Sequence, residues 1–304
     1  MAADHHATRN TPNLTWAGLA LALFGAIAFS GKAIIIKLAY RHGVDAVALL
    51  MWRMLLALPM FLLLSWWAGR GQPKLTARDW RDIGVLGFTG YYLSSYLDFA
   101  GLQYISASLE RLILYLNPTM VLLIAVLRQG QRISGRQVVA LLLSYAGMLA
   151  VFGHELHFEG RGTVLGSLLV FGSAISYAVY LTLSGSVVQR LGALRLTGLA
   201  TTVACVLCIG QFFVLRPAAE ALVPEPVIWL SLLNATACTF APVLMVMLAI
   251  ARIGAPMTSQ IGMVGPMSTL VMGVFILGEP WNAWIGVGTV LVLAGVAWLA
   301  KLRR

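Results

Sequence analysis

Six ionisable side chains, Lys32, Lys37, Arg53, Asp98, Glu110 and Arg111, stand inside long apolar runs of the first half of the chain, whereas the second half carries such groups at the ends of its runs. A charge at the centre of an apolar helix costs about 2.5–3.5 kcal/mol on insertion scales, so these groups must pair with one another or border water. Four cations against two acids leave a positive surplus, which suits the capture of a carboxylate by Lys32 and Arg53. The alternative is a closed ion-pair network in which Asp98 and Glu110 serve Arg53, Arg111 or Lys32, while Lys37 snorkels from the end of its run. Asp98 and Glu110 are also the carboxylates best placed to carry a proton beside cations. Hydrolytic chemistry finds no support: no His falls within an apolar run and no HExxH motif occurs. Cys205, Cys208 and Cys238 lie in apolar runs without a neighbouring His or acid and read as packing residues. No metal or organic cofactor is indicated.

Polar and aromatic side chains recur at helical spacing near these charges. Ser173, Tyr177, Tyr180 and Ser184 share one face of one run, and Tyr92, Tyr96 and Phe99 share a face of another. Ser108, Arg111, Tyr115 and Thr119 form a third stripe. Such stripes serve helix packing as readily as ligand contact, and the charges decide for a site. The expected substrate contacts are Lys32, Tyr92, Tyr96, Tyr115, Ser173, Tyr177, Tyr180 and Ser184. Arg53, Asp98, Glu110 and Arg111 are the expected gating or ion-pair network. Pro118 and Pro266, in the middle of two runs, are expected helix hinges. Glu279, followed by Pro280, is expected to cap the helix that comes after it.

The elements that carry these residues are set by composition. The 304 residues are 60% hydrophobic and 11% charged, and the mean hydropathy is +0.85. Such a chain belongs in a bilayer. Apolar runs over Leu14–Tyr40, Ala46–Trp67, Ile83–Gly101, Ala107–Leu127 and Val138–Phe152 are followed by Thr163–Ser184, Leu196–Leu215, Val227–Ile250, Pro256–Leu277 and Trp284–Leu299. The segment Tyr104–Gly147 recurs without a gap 148 positions later as Arg252–Gly295, pairing Pro118 with Pro266, Gly130 with Gly278 and Gly147 with Gly295. A constant offset that matches prolines and glycines marks an internal duplication. The expected organisation is a tail over 1–13, a first repeat over 14–153, a connection over 154–161, a second repeat over 162–301 and a tail over 302–304. An odd number of spans per unit makes the units enter the membrane from opposite faces. The fold class is therefore all-α integral membrane, with ten transmembrane helices as two five-helix repeats of inverted topology.

Orientation follows from the connections. Fourteen Lys and Arg residues fall on the side of the termini, among them Arg70, Lys74, Arg78 and Arg81, against Arg41, Arg161 and Arg216 opposite. Positive connections stay in the cytoplasm, so both termini are expected there. The net charge of +10 thus reads as a topology signal with anionic headgroup contact, and no nucleic-acid partner is expected. Tryptophans such as Trp66, Trp67, Trp80, Trp281 and Trp284 fall near the two interfaces.

The duplicated unit, the mid-helix prolines and the tract Leu277-Gly278-Glu279-Pro280 with Gly286 and Gly295 resemble the EamA-type branch of the drug/metabolite transporter superfamily, and within it the bacterial aromatic amino acid exporters. One departure is Gln131, which stands in the first repeat where the second has Glu279. The resemblance implies a ten-helix basket with a central cavity, exporting amino acids or other small metabolites across the bacterial inner membrane. Inverted repeats fit alternating access at their interface. Aromatics with a modest basic surplus suit a zwitterion. A cationic-drug exporter, which would want an acidic aromatic cavity, and a phosphorylated-metabolite exchanger, which would want clustered Lys and Arg, remain the alternatives. A complete pair of repeats makes a monomer the expected state.

Overall fold

The structure, a computed structural model, describes residues 16–129, 161–253, 264–281 and 283–302, together with scattered positions between 134 and 150 and the single residues Thr258 and Ile261. The expected tail over 1–13, the connection 154–160, and Gln131, His154, His157 and Gln260 lie outside the described residues. The described residues are almost all helical.

The first half opens with α1 (Trp16–Tyr40) and α2 (Ala46–Gly69). Asp45 starts α2 by accepting the Ala48 N–H at 2.7 Å. The third span begins earlier than its apolar run, because Thr76 and Asp79 form a reciprocal capping box ahead of it. It comprises α3 (Ala77–Leu86), a π-helical stretch over Gly87–Leu93 and α4 (Ser94–Leu102). The fourth span is two helices, α5 (Ala107–Leu114) and α6 (Asn117–Gln129). Pro118 explains the break: it has no N–H and its ring excludes the preceding turn, so it sits in the first turn of α6, where neither matters.

The second half repeats the order. It contains α7 (Arg161–Leu191), α8 (Ala193–Leu215), α9 (Glu225–Ala235), a π-helical stretch over Thr236–Phe240, α10 (Ala241–Ile253), α11 (Val264–Met272), a π-helical stretch over Gly273–Leu277 and α12 (Ala283–Leu302). Subtracting the repeat offset of 148 places the start of α9 at Ala77 and the stretch 236–240 at 88–92. The widened turns of the third and eighth spans are thus a shared feature of the two repeats.

Packing follows the same pairing. α1 lies against α10 and α11 of the second half, and α7 lies against α4, α5 and α6 of the first. α2 and α8, which correspond between the repeats, pack along each other. Their common core holds Ile36, Leu49, Leu50, Met54, Phe99, Leu102, Cys205 and Cys208, all buried. Close approach of backbones needs small residues where α4 meets α7. A Cβ at Gly101 would stand 2.8 Å from the Gly166 carbonyl oxygen, and one at Gly166 would stand 2.9 Å from that of Gly101. Outward-facing residues include Leu63, Val214, Phe275 and Val290, all strongly exposed. Among the described residues five helices are long and apolar enough to cross a bilayer, and lipid is the solvent that such an outer surface requires.

Polar ties hold the end of the bundle at which α2 finishes. Arg190, at the end of α7, pairs with Asp79 at 2.8 Å and Asp82 at 2.9 Å. The Thr76 hydroxyl and backbone donors hold the Asp79 carboxyl below the usual carboxylate range, and Arg190 adds to this. Arg190 and Arg81 do the same to Asp82. A depressed folded pKa means stabilisation that is complete above the unfolded value, about 3.9, and is lost as the pH falls through the folded value. The contribution of this triad to the melting temperature in detergent should therefore be constant from about pH 7 to 5, begin to fall near about pH 4 and vanish only below the depressed folded values. Arg190→Gln should lower the melting temperature at pH 7 and flatten the acid fall; an unchanged acid limb would contradict the pairing.

Candidate functional site

α1 brings Lys32 to the place where both repeats meet, eight residues or about 12 Å from its Tyr40 end. Its Nζ lies 2.5 Å from Asp98 Oδ2 on α4 and 3.6 Å from Glu110 Oε1 on α5. Ser106 fixes the start of α5 by accepting the Leu109 N–H at 3.0 Å, and this sets Glu110 and Arg111 in the first turns of that helix. Arg111 Nε stands 3.8 Å from Glu110 Oε2, and its Nη2 approaches the Phe29 carbonyl at 3.4 Å. The two acids are nearly inaccessible, with side-chain exposures of 2% for Asp98 and 0% for Glu110, whereas Lys32 keeps 18%.

Second-repeat residues close the same group. The Ser30 hydroxyl donates to the carbonyls of Ala26 at 2.8 Å and Gly265 at 2.7 Å, tying α1 to α11. Thr269 on α11 donates to the Ser30 and Gly265 carbonyls. Arg53 on α2 donates through Nε to the Thr239 hydroxyl at 3.1 Å, and Thr239 donates to the Asn234 carbonyl, which the widened turn of the eighth span leaves accessible. The Arg53 guanidinium lies 5.1 Å from the Phe99 ring centre, a cation–π contact. Arg53 is buried, and among the described residues no carboxylate pairs with it.

This arrangement leaves polar atoms of both kinds short of partners. Arg53 Nη1 is a buried donor without an acceptor, and Asp98 Oδ1 is a buried acceptor without a donor. Lys32, Arg53 and Arg111 against Asp98 and Glu110 leave one positive charge in excess. Lys37 drops out of the expected surplus. It donates to the carbonyls of Leu102 at 3.3 Å and Ile105 at 2.8 Å, and so caps the end of the third span instead of snorkelling.

The expected aromatic residues divide into separate groups. Tyr92 and Tyr96 pack on the core formed by Met54 and Phe99, and Tyr115 packs on Leu109, Leu112 and Ile113. The first group shares its core with Phe99, the ring against Arg53, and the second lies on the helix that bears Glu110 and Arg111 or directly after it. Tyr177 and Tyr180 form a separate group: their rings stack 5.4 Å apart, and the Tyr180 hydroxyl lies 3.2 Å from that of Tyr91. Tyr180 stands nineteen residues from the start of α7, about 28 Å, at a different depth from Lys32. Inverted repeats account for this, because equivalent positions share a face but lie on opposite sides of the midplane. Ser173 donates to the Ser94 carbonyl at 2.7 Å, and Ser176 to the Thr89 carbonyl at 2.7 Å, at the widened turns of the third span. Ser184 bonds back to the Leu181 carbonyl of its own helix. Pro266 is the third residue of α11, and the positions just before that helix lie outside the described residues.

Glu279 requires a correction. It caps α5 of the first repeat and not the helix after it: Oε1 accepts the Ala107 N–H at 2.8 Å and Oε2 the Ser108 hydroxyl at 2.7 Å. Ser30, Ser106, Thr239 and Thr269 were not singled out by spacing. Of these, Ser106 was legible, since a serine directly before an apolar run is a helix start signal.

A helical membrane bundle of two matching halves, with a buried set of charges where they meet, is the architecture of a membrane transporter for small molecules. The chain belongs to the EamA-like transporter family, part of the drug/metabolite transporter superfamily, whose model matches residues 16–153 and 164–301. It is 31% identical over 270 residues to "Uncharacterized transporter YcbK" of Bacillus subtilis (strain 168), covering 86% of each chain. An "Uncharacterized transporter" of Archaeoglobus fulgidus is 24% identical over 271 residues, covering 88% of this chain and 92% of that one. A solved crystal structure of a protein 17% identical in sequence superposes with a TM-score of 0.62, covering 94% of this chain and 99% of that one, a likeness of fold.

Removing one member of a buried ion pair leaves a charge uncompensated and costs about 3–5 kcal/mol. Lys32→Met should destabilise the protein in detergent by about that amount, and Lys32→Met with Asp98→Asn should recover a substantial part. A double-mutant cycle on unfolding free energy checks this; additive losses would contradict direct pairing.

Proposed function

We propose that this transporter exports amino acids, aromatic and other neutral ones, by alternating access between the two repeats. The single observation that carries the reading is that the cluster leaves buried polar atoms of both kinds without a hydrogen-bond partner, the donor Arg53 Nη1 and the acceptor Asp98 Oδ1 among them. A zwitterion supplies what each lacks: its carboxylate accepts from Arg53, and its ammonium donates to Asp98 beside Lys32. Binding of such a molecule adds no net charge to a site already carrying one in excess. Tyr92 and Tyr96, which pack on the core that holds Phe99, and Tyr115, on the helical stripe of Arg111, would take the substrate side chain. Lys32 acts here through Asp98, holding the carboxylate that receives the ammonium. Glu110 and Arg111 complete the ion-pair network. Tyr177, Tyr180 and Ser173 belong to the contact of α7 with the third span, and with Ser184 they would form the path toward the opposite face.

In this reading residues 14–153 and 162–301 are the two moving units, Pro118 and Pro266 are their hinges, and the excess of Lys and Arg keeps both termini in the cytoplasm. The protein would work as a monomer in the bacterial inner membrane. Proteoliposomes loaded with labelled phenylalanine, threonine or a quaternary amine test the cargo. Efflux of the amino acids but not the amine is expected, with loss of at least about tenfold in a folded Arg53→Gln variant, as removal of one buried charged partner implies. Amine flux indifferent to Arg53 would make the protein a cationic-drug exporter.

A further inference from the structure

Among the described residues Glu279 forms no ion pair with the cluster, yet it holds the helix that carries two of its five charges. The ninth span ends in the π-helical stretch Gly273–Leu277, after which Gly278 turns the chain with φ of 73°, a left-handed conformation that favours glycine. The Glu279 N–H donates to the Gly273 carbonyl at 3.1 Å, which closes this turn. Its carboxylate then crosses from the second repeat to the first and takes the Ala107 N–H and the Ser108 hydroxyl, in the first turn of α5. An anion at that place meets unpaired N–H groups and the positive end of the helix dipole. Glu110 and Arg111 follow three and four residues after Ala107 on the same short helix.

Two further observations mark this as a built joint. A Cβ at Gly273 would stand 2.8 Å from Glu279 Oε2 and 3.3 Å from its Cδ, so the carboxylate occupies room that glycine leaves. The end of α1 and the turn after it hold both sides of the joint: Arg41 donates to the Leu277 carbonyl at 2.5 Å, and Lys37 donates to Leu102 and Ile105 ahead of α5. In sequence, the residues at the repeat offset do not reproduce the chemistry of this joint. Glu279, Ala107 and Ser108 correspond to Gln131, Ala255 and Pro256, a neutral amide and a proline that offers neither hydroxyl nor N–H.

We propose that Glu279 is a latch between the repeats, which closes the Tyr40 end of the bundle and positions Glu110 and Arg111 through α5. Opening that end requires the carboxylate to leave Ala107 and Ser108, and the same movement releases the helix that bears Glu110 and Arg111. Because the residues at the repeat offset lack that charge in sequence, the latch shifts the resting population toward closure at the Tyr40 end. The proposal rests on the alternating-access reading but not on the identity of the cargo.

Spin labels at Gln103→Cys and Trp281→Cys, both exposed and on either side of the joint, report its opening by pulsed electron resonance in nanodiscs without substrate. The native cysteines Cys205, Cys208 and Cys238 are buried, which confines labelling to the introduced pair. The expected parent distribution is dominated by a short distance. Glu279→Gln, which keeps one acceptor oxygen, and Ser108→Ala, which removes one donor, should each raise the open-to-closed ratio by about fivefold or more. Glu279→Asp, too short to reach both donors, should behave like Glu279→Gln. Unchanged distance distributions in folded Glu279→Gln and Ser108→Ala variants would overturn the latch while leaving amino acid efflux to be judged by the flux measurement. Opening in these variants together with amine flux would instead retain the latch and reject the cargo.

Discussion

A lysine ammonium 2.5 Å from one buried carboxylate and 3.6 Å from another sets the terms for the rest of this structure. Such charges survive in a bilayer only where neighbouring helices supply partners, so Lys32 obliges α1, α4 and α5 to meet at one depth. The acids in turn determine what the second repeat may offer at this point. α11 presents no charge here; it presents the Gly265 carbonyl and the Thr269 hydroxyl to Ser30, two residues before Lys32. The eighth span presents Thr239 to Arg53. The site is thus charged from one repeat and neutral from the other, and motion of the second repeat changes the polar lining without separating an ion pair.

The widened turns of the third and eighth spans belong to the same logic. A π-helical turn displaces carbonyls from their usual donors, and in a bilayer each displaced group must find a new one. Ser173 and Ser176 answer for the third span and Thr239 for the eighth. In the eighth span that answer also recruits Arg53, which links a backbone irregularity shared by the repeats to the positive excess of the site. In the third span it recruits α7, whose Tyr180 ring comes so close to Gly90 that a Cβ there would lie 2.4 Å away. A tyrosine stripe that looks like a ligand surface in sequence is therefore largely the packing face of two repeat-related helices.

Much of the fold was legible because it rests on apolar length and on the 148-residue repeat, both local or strictly periodic quantities. The membrane spans, their order and the correspondence between halves follow from them. The pairing Lys32–Asp98–Glu110 was legible as a set, since buried charges must balance, but not as a geometry. Lys37 shows why: whether a lysine near a helix end snorkels or caps a neighbour depends on where the carbonyls of Leu102 and Ile105 come to lie. Glu279 shows it again, because a carboxylate beside a helix start in sequence serves a different helix start in space. The widened turns left no periodic trace beyond Gly87 and Gly90, and the depth of Tyr180 relative to Lys32 follows from inversion of the repeats, which reverses depth while preserving the face.

The central claim is that the cluster recognises a zwitterion through one cation and one acid together. Its most direct test is equilibrium binding of phenylalanine, of phenylalanine amide and of N-acetylphenylalanine to the purified protein, read by tryptophan fluorescence or calorimetry. The account predicts binding of phenylalanine and a loss of at least about tenfold for both analogues, because each leaves one buried charged group without its oppositely charged partner. Equal binding of the amide would contradict it, since a cation that needs no carboxylate contact has no use for Arg53.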